Sequence, residues 1–297
     1  MASKAATQPA QAASGGTSEQ ALATVDVSKG QVPALLEEGI SGPSDFGQKD
    51  LSVPFLRILQ ALSPHVQPQD PKYDEDAKQG QIVETVSPKF YEGDASRNPD
   101  AGLIIIPVAF TRSYTEWKQN RGGMVADHGS DPAILAKCQK IVDSQGKTKM
   151  VTQEGTEVAE AALYYVLYAE YHHSTPGNVD SEWRQALMTM AGTQWRKSRD
   201  WNTNMSRVRI SRADGSIIQN PLPFVHSYRF TTVGEKKDNY NFFGWKIEPH
   251  IFTLALPGGE DLLRKCIEFR KLALAGAIKG DDGGAEDPEL QEGKTPF

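Results

Sequence analysis

The longest apolar run in the chain, "AGLIIIPVAF" at residues 101–110, is ten residues long. That is a strand's length, well short of the roughly 18 apolar residues that cross a bilayer as a helix. It reads as a buried strand and sets the class of the fold. Six further stretches read as strands: "QIVETVS" (81–87), "RSYTEWKQN" (112–120) running into the "RGG" turn at 121–123, "ALYYVLYAEYHH" (162–173), "EWRQALMTMAG" (182–192), "FVHSYRFTTV" (224–233) and "YNFFGWKI" (240–247). Helical spacing appears in "PAILAKCQKIV" (132–142), in residues 193–210, and in "GGEDLLRKCIEFRKLALAGAI" (258–278), which acids open and Lys279-Gly280 closes. "VPFLRILQAL" (53–62) fits a helix through Phe55, Ile58, Leu59 and Leu62, with a strand as the alternative. The pattern predicts a mainly β fold with α insertions: a β-barrel core over 51–280, a C-terminal helix, and an insertion within 119–160.

The ends differ from this body. Residues 1–30 lack the large apolar side chains that would offset the entropy of ordering, and "VPALLEEG" (32–39) offers one helical turn at most. A disordered N-terminal extension, 1–50, is expected. No charged start precedes an apolar stretch, so no secretory signal is expected. Cys138 and Cys266 follow no pairing pattern, which suits a reducing compartment. Of the net charge of −6, the last 17 residues carry −5: Asp281, Asp282, Glu286, Asp287, Glu289 and Glu292 stand against Lys294. Residues 1–50 carry −3 (six acids, three lysines), which leaves +2 for 51–280. A mildly basic body between acidic ends can bind an anion that the tail competes for.

Familiar catalytic signatures are missing. The sequence has no phosphate-binding G-x-x-x-x-G-K-[ST], no G-x-S-x-G, no H-E-x-x-H and no C-x-x-C. His172 and His173 are adjacent on a strand and point to opposite faces, so they chelate poorly. Glu116, Asp127, Glu154, Glu170 and Asp200 could form a nuclease site only by meeting in space. Neither an enzyme, a cofactor nor a metal is expected.

What the body does carry is aromatic and basic residues interleaved. Arg112, Tyr114, Lys118 and Arg121 lie in "FTRSYTEWKQNR"; Trp195, Arg196, Lys197 and Arg199 in "QWRKSRDW"; Arg207 and Arg229 follow; Tyr240, Phe242 and Lys246 lie in "NYNFFGWK". Single strands want this mixture, because cations neutralise phosphates and aromatic faces stack on unpaired bases. Alternation makes Tyr114 and Phe242 candidate stackers and assigns Trp117 and Trp245 to the core. Gly244, between Phe242 and Lys246, leaves room for a ligand to approach. At 100° per residue, Gln194, Ser198, Trp201, Met205 and Val208 form a buried stripe. From Arg196 to Arg212 the chain has six cations and one acid, Asp200, so the balancing acids look absent.

The chain resembles the single-stranded-DNA-binding proteins of tailed phages. The resemblance rests on "VPFLRILQALSP" (53–64), "GQIVETVS" (80–87), "IPVAFTRSYTEWK" (106–118), "TQWRKSRDWN" (193–202) and an acidic tail, 281–297, ending Pro296-Phe297. It covers roughly 51–260 and the tail. The tail departs from the pattern in its interspersed Gly, Gln and Thr and in Lys294 near its end. The resemblance implies an OB-fold-like Greek-key barrel that coats single-stranded DNA during phage replication and recombination in the host cell cytoplasm. It also implies a disordered tail that recruits a polymerase or helicase-primase, with Phe297 as the anchor. A homodimer is a further expected partner arrangement; a membrane is not expected. The rival readings are a recombination mediator or annealing protein, and a virion or scaffold component.

Overall fold

The apolar run at 101–110 opens one continuous strand, Leu103–Trp117. It is seen in a computed structural model that describes residues 52–281, except 120–122, 144–145, 147, 181, 212–213, 238–239 and 279. The expected N-terminal extension and all of the tail beyond Asp281 lie outside the described residues, as does Arg121. The described residues fall within one unit, Phe46–Phe297; the other unit, Met1–Asp45, is outside them.

In chain order the strands are β1 (Val53–Pro54), β2 (Leu56–Ile58), β3 (Ile82–Glu84), β4 (Lys89–Tyr91), β5 (Leu103–Trp117), β6 (Met124–Asp127), β7 (Cys138–Val142), β8 (Thr148–Thr152), β9 (Glu157–Glu170) and β10 (Arg184–Met190). Helix α1 (Trp195–Arg207) follows, then β11 (Arg209–Ser211), β12 (Ile217–Gln219), β13 (His226–Lys237), β14 (Tyr240–Phe252), helix α2 (Gly259–Leu274) and β15 (Gly280–Asp281). The protein is mainly β with a few helices, and its large sheet is antiparallel. No helix among the described residues is long and apolar enough to cross a membrane.

The long strands β5 and β9 pair from Leu103↔Glu170 to Trp117↔Glu157 and exchange neighbours midway. Near one end β13 pairs with β5 and β10 with β9; near the other, β6 pairs with β5 and β8 with β9. One end thus belongs to the body, in the order β14-β13-β5-β9-β10, and the other to a projecting arm. Pro107 lies between the stretch of β5 that pairs with β13 and the stretch that pairs with β6, and it has no N–H for the ladder. The register shifts between Pro107 and Ala109, so the proline sits at a bulge, where a central strand tolerates it.

Both faces of the body sheet are buried. Leu103, Ile105, Tyr164, Val166, Met188, Phe230 and Trp245 share one core with Leu56, Ile82 and Trp201 of α1. Ile104, Ile106, Leu163 and Leu167 share the other with α2, through Leu262, Cys266, Phe269 and Ala273. That 4-3-4 spacing is the apolar stripe of an amphipathic helix. The segment 55–60 reaches both outer edges of the body sheet. Phe55 bridges Leu187 on the outer edge of β10. On the outer edge of β14, the Gln60 amide donates to Phe243 O at 2.8 Å and accepts from Phe243 N at 2.9 Å. Gln194 Oε1 accepts from Trp245 N at 3.0 Å. Side-chain amides thus satisfy an edge that would otherwise invite another strand.

Three expectations of local structure are corrected. Residues 53–58 form strands rather than a helix, because Leu56–Ile58 pairs with Ile82–Glu84. Residues 132–142 are one 3-10 segment, Pro132–Lys137, followed by β7, whose partner is β8. The C-terminal helix ends at Leu274 rather than near Lys279. Gly276 at φ +67° takes the left-handed position after it, with Gly276 N bonded to Ala273 O and Ala277 N to Leu272 O. These two bonds make a Schellman motif.

The base of the β13–β14 ribbon holds two histidines. The His226 ring lies against Tyr228 and Phe252, and Ser227 Oγ meets His250 Nδ1 at 3.0 Å. Burial holds both imidazoles below their ordinary range, and His226 and Arg229 add to the effect at His250. The unfolded chain accepts protons near pH 6.5 that the folded chain resists. This contribution to stability is therefore full above about pH 6.5 and declines below it, until the folded histidines protonate as well. The thermal midpoint is expected to start falling near pH 6.5, with a shallower fall in His250→Gln. A profile level through that pH would contradict this.

Candidate nucleic-acid interface

The predicted stripe on 193–210 is buried: Gln194, Ser198 and Trp201 are at most 2% exposed, and Met205 packs against the same core. Trp201 stacks on Tyr164 at 4.4 Å between ring centres. The Tyr164 hydroxyl, its pKa raised to about 12 by burial, meets Ser198 Oγ at 2.7 Å and Asn202 Oδ1 at 2.9 Å. These contacts fix α1 against β9 and present its opening turn, Trp195-Arg196-Lys197, at the surface.

That turn is electrostatically unusual. A helix N-terminus carries partial positive charge and favours acids. Here it opens with Arg196, Lys197 and Arg199, has no acid in its first turn and no side-chain cap on Gln194. Trp195 is half-buried. The Arg112 guanidinium of β5 lies 5.6 Å from its ring centre, within cation–π range. Phe110, 40% exposed, tilts against Tyr164 at 5.1 Å. Phe110, Arg112 and Trp195 thus form an aromatic–basic surface built from two elements distant in sequence. Phe110 belongs to the aromatic–basic stretch "FTRSYTEWKQNR" but was not singled out as a stacker; straight alternation from Ile104 and Ile106 would put it on the α2 face, and the bulge turns it to the other. Pro107 within the strand was the signal.

The acids that the sequence count could not find come from other strands. Glu160 of β9 pairs with Arg112, and Glu235 of β13 with Lys197. Arg196 pairs with Asp200 at 3.9 Å, both well exposed, which is worth little. Arg199 and Arg207 have no acidic partner among the described residues. Arg207 lies at the far end of α1, roughly 18 Å from Trp195 at 1.5 Å per residue.

Other candidates are placed elsewhere. Tyr114 is 5% exposed and packs with Ile134 and Val158, because the 119–160 segment folds over it; it offers no face for stacking. Arg229 lies 3.6 Å from the Tyr171 ring centre and donates to Pro99 O and Ala101 O, a structural clasp. The room expected at Gly244 is filled by Lys197, Gln194 and Glu235. Trp117 and Trp245 are core, as alternation indicated. Phe242 is half-buried opposite Glu235, Tyr240 is 53% exposed near the ribbon tip, and Lys246 pairs with Glu248 at 2.9 Å. Lys118 is exposed, roughly 20 Å along β5 from Arg112.

The acids weighed as a nuclease site do not converge. Glu170 pairs with Lys89 at 2.6 Å and Asp200 lies on α1. Glu116 is held below the ordinary carboxylate range by hydrogen bonds from Thr156 and His128. Among the described residues no group of three or more His, Cys, Asp or Glu could hold a metal. A second polar cluster joins Tyr168 and Tyr91 to Glu84, with Arg184 donating to Tyr91 at 3.2 Å. Burial raises both tyrosine pKa values, and the phenols are hydrogen-bonded within the cluster.

The family model of the Pam3 phage gp34-like protein matches residues 26–269 of the chain. Comparison with curated proteins and with solved structures gives no match.

Proposed function

We propose, from the premise that the chain belongs to the Pam3 phage gp34-like protein family, that it is a bacteriophage protein that binds and coats single-stranded DNA. The observation that carries this reading is the opening of α1, where three cations oppose the helix dipole beside a half-exposed tryptophan. Local stability gains nothing from that arrangement, and departures of this kind are expected at functional sites. A phosphate beside the helix N-terminus would satisfy both the cations and the dipole. Trp195 and Phe110 would stack on bases, which single strands expose and duplexes bury.

The strand order supports an OB-fold-like barrel. Numbered within the body, β5, β9 and β10 are strands one to three and β13 and β14 are strands four and five. They lie in the order 5-4-1-2-3, with α1 between the third and the fourth. On this reading β5–β9 is the first loop, here grown into the arm, and the β13–β14 tip is the last; both are binding loops in OB-folds.

Replication in the host cytoplasm and recruitment of a polymerase or helicase-primase belong to the same proposal. Asp281 in β15 runs parallel beside Val53–Pro54, which fixes where the tail leaves the body. The 16 residues after it can extend about 55 Å, and on this reading they compete for the basic surface. Removing residues 281–297 is expected to tighten binding of oligo-dT; weaker binding would show that the tail is no competitor. The reading as a whole is tested by anisotropy of labelled oligo-dT against unlabelled competitors. Oligo-dT should displace the probe and duplex DNA should do so poorly. Equal competition by duplex would overturn the stacking account.

A further inference from the structure

Lys197 and Glu235 meet at a point that a side chain at position 244 would occupy. A Cβ on Gly244 would lie 2.5 Å from Lys197 Nζ, 2.7 Å from Gln194 Nε2 and 2.9 Å from Glu235 Oε1. Two donors and one carboxylate oxygen therefore converge beside β14. Gln194 is fully buried, and its Oε1 is fixed by Trp245 N, which orients the amide. Its Nε2 donates weakly to Thr193 Oγ1 at 3.3 Å, leaving its second N–H for the converging point. Gln194 is also the N-cap of α1, so the positive end of the helix adds to the same spot. Glu235 is the anionic group that pairs with Lys197 at this point. The two ends of the pair are 23% and 27% exposed, and a partly desolvated ion pair gains little net stability, so another anion can exchange with it.

We propose, resting on the reading above that the protein binds single-stranded DNA, that Gly244, Lys197 and Gln194 form a phosphate subsite. Glu235 closes it as an internal carboxylate when no strand is bound. A backbone phosphate offers two oxygens to the two donors and displaces Glu235. The glycine is required because any side chain would fill the seat. Glu235 thereby raises the threshold for binding, so weak anions are refused and a strand that engages Trp195 at the same time is accepted.

The test compares oligo-dT binding by the full chain, Glu235→Gln and Glu248→Gln over a range of salt. Glu248→Gln removes the same formal charge from the same ribbon without touching the seat. Glu235→Gln is expected to bind several-fold more tightly. Its slope of log affinity against log salt should be steeper by about 0.7, the release of one further counterion from a single strand. Glu248→Gln should stay near the parent, and the gain should vanish when Lys197→Met is added. Parent and Glu235→Gln binding alike, or Glu248→Gln matching Glu235→Gln, would overturn the seat while leaving DNA binding intact. Absence of oligo-dT binding by all three would overturn the DNA reading and the seat with it.

Discussion

Trp195→Ala is expected to weaken oligo-dT binding by about 1–3 kcal/mol, roughly 5- to 150-fold, while the protein stays folded. The magnitude follows from the loss of one stacking surface. Selectivity follows from the placement of the tryptophans. Trp117, Trp201 and Trp245 are at most 3% exposed, and Trp183 packs against the α2 side of the sheet. Trp195 combines partial exposure with cationic neighbours, Arg112 among them. Quenching of tryptophan emission by oligo-dT should therefore be largely lost in Trp195→Ala. Trp195→Phe should keep most of the affinity, since a phenyl ring still stacks. A folded Trp195→Ala protein with unchanged affinity would remove this residue from the interface.

Trp201→Ala, six residues further along the helix, should act on the fold instead. Its ring is 1% exposed and touches Tyr164, Phe230 and Tyr228, with ring centres 4.4, 4.9 and 5.6 Å away. Removing it leaves a cavity in the core that joins α1 to the sheet, at a cost of about 3–5 kcal/mol. For a domain of this size that lowers the thermal midpoint by roughly 10 °C. Its indole Nε1 is buried without a hydrogen-bond partner, so Trp201→Phe gives up volume but also removes an unsatisfied polar group. Trp201→Phe should accordingly cost much less than Trp201→Ala, as read by thermal or denaturant unfolding. Equal losses for the two would mean that packing volume does not set the stability of this core.

The contrast between Trp195 and Trp201 was legible in the sequence, because helical periodicity alone puts them on different faces. Strand identity was legible from apolar runs and alternation along 101–118, 162–170, 226–233 and 240–247. Three things were not. The 119–160 segment buries Tyr114, and no local pattern announces a tertiary cover. The bulge at Pro107 moves Phe110 to the face of Tyr164, reversing simple alternation. The partners of Arg112 and Lys197 come from β9 and β13, 48 and 38 residues away, so a count of charges along 196–212 misses both. Long-range pairing also settles residues 53–58 as strands, where helical spacing and a strand were both open.

Tryptophan fluorescence titrated with oligo-dT at increasing salt tests the central claim most directly. The account predicts quenching on binding and an affinity that falls linearly with log salt. Arg112, Arg196 and Arg199 are the cations engaged, with Lys197 offset by Glu235, so the slope should be about −2 at roughly 0.7 per phosphate neutralised. Emission unchanged by oligo-dT, or an affinity indifferent to salt, would contradict it.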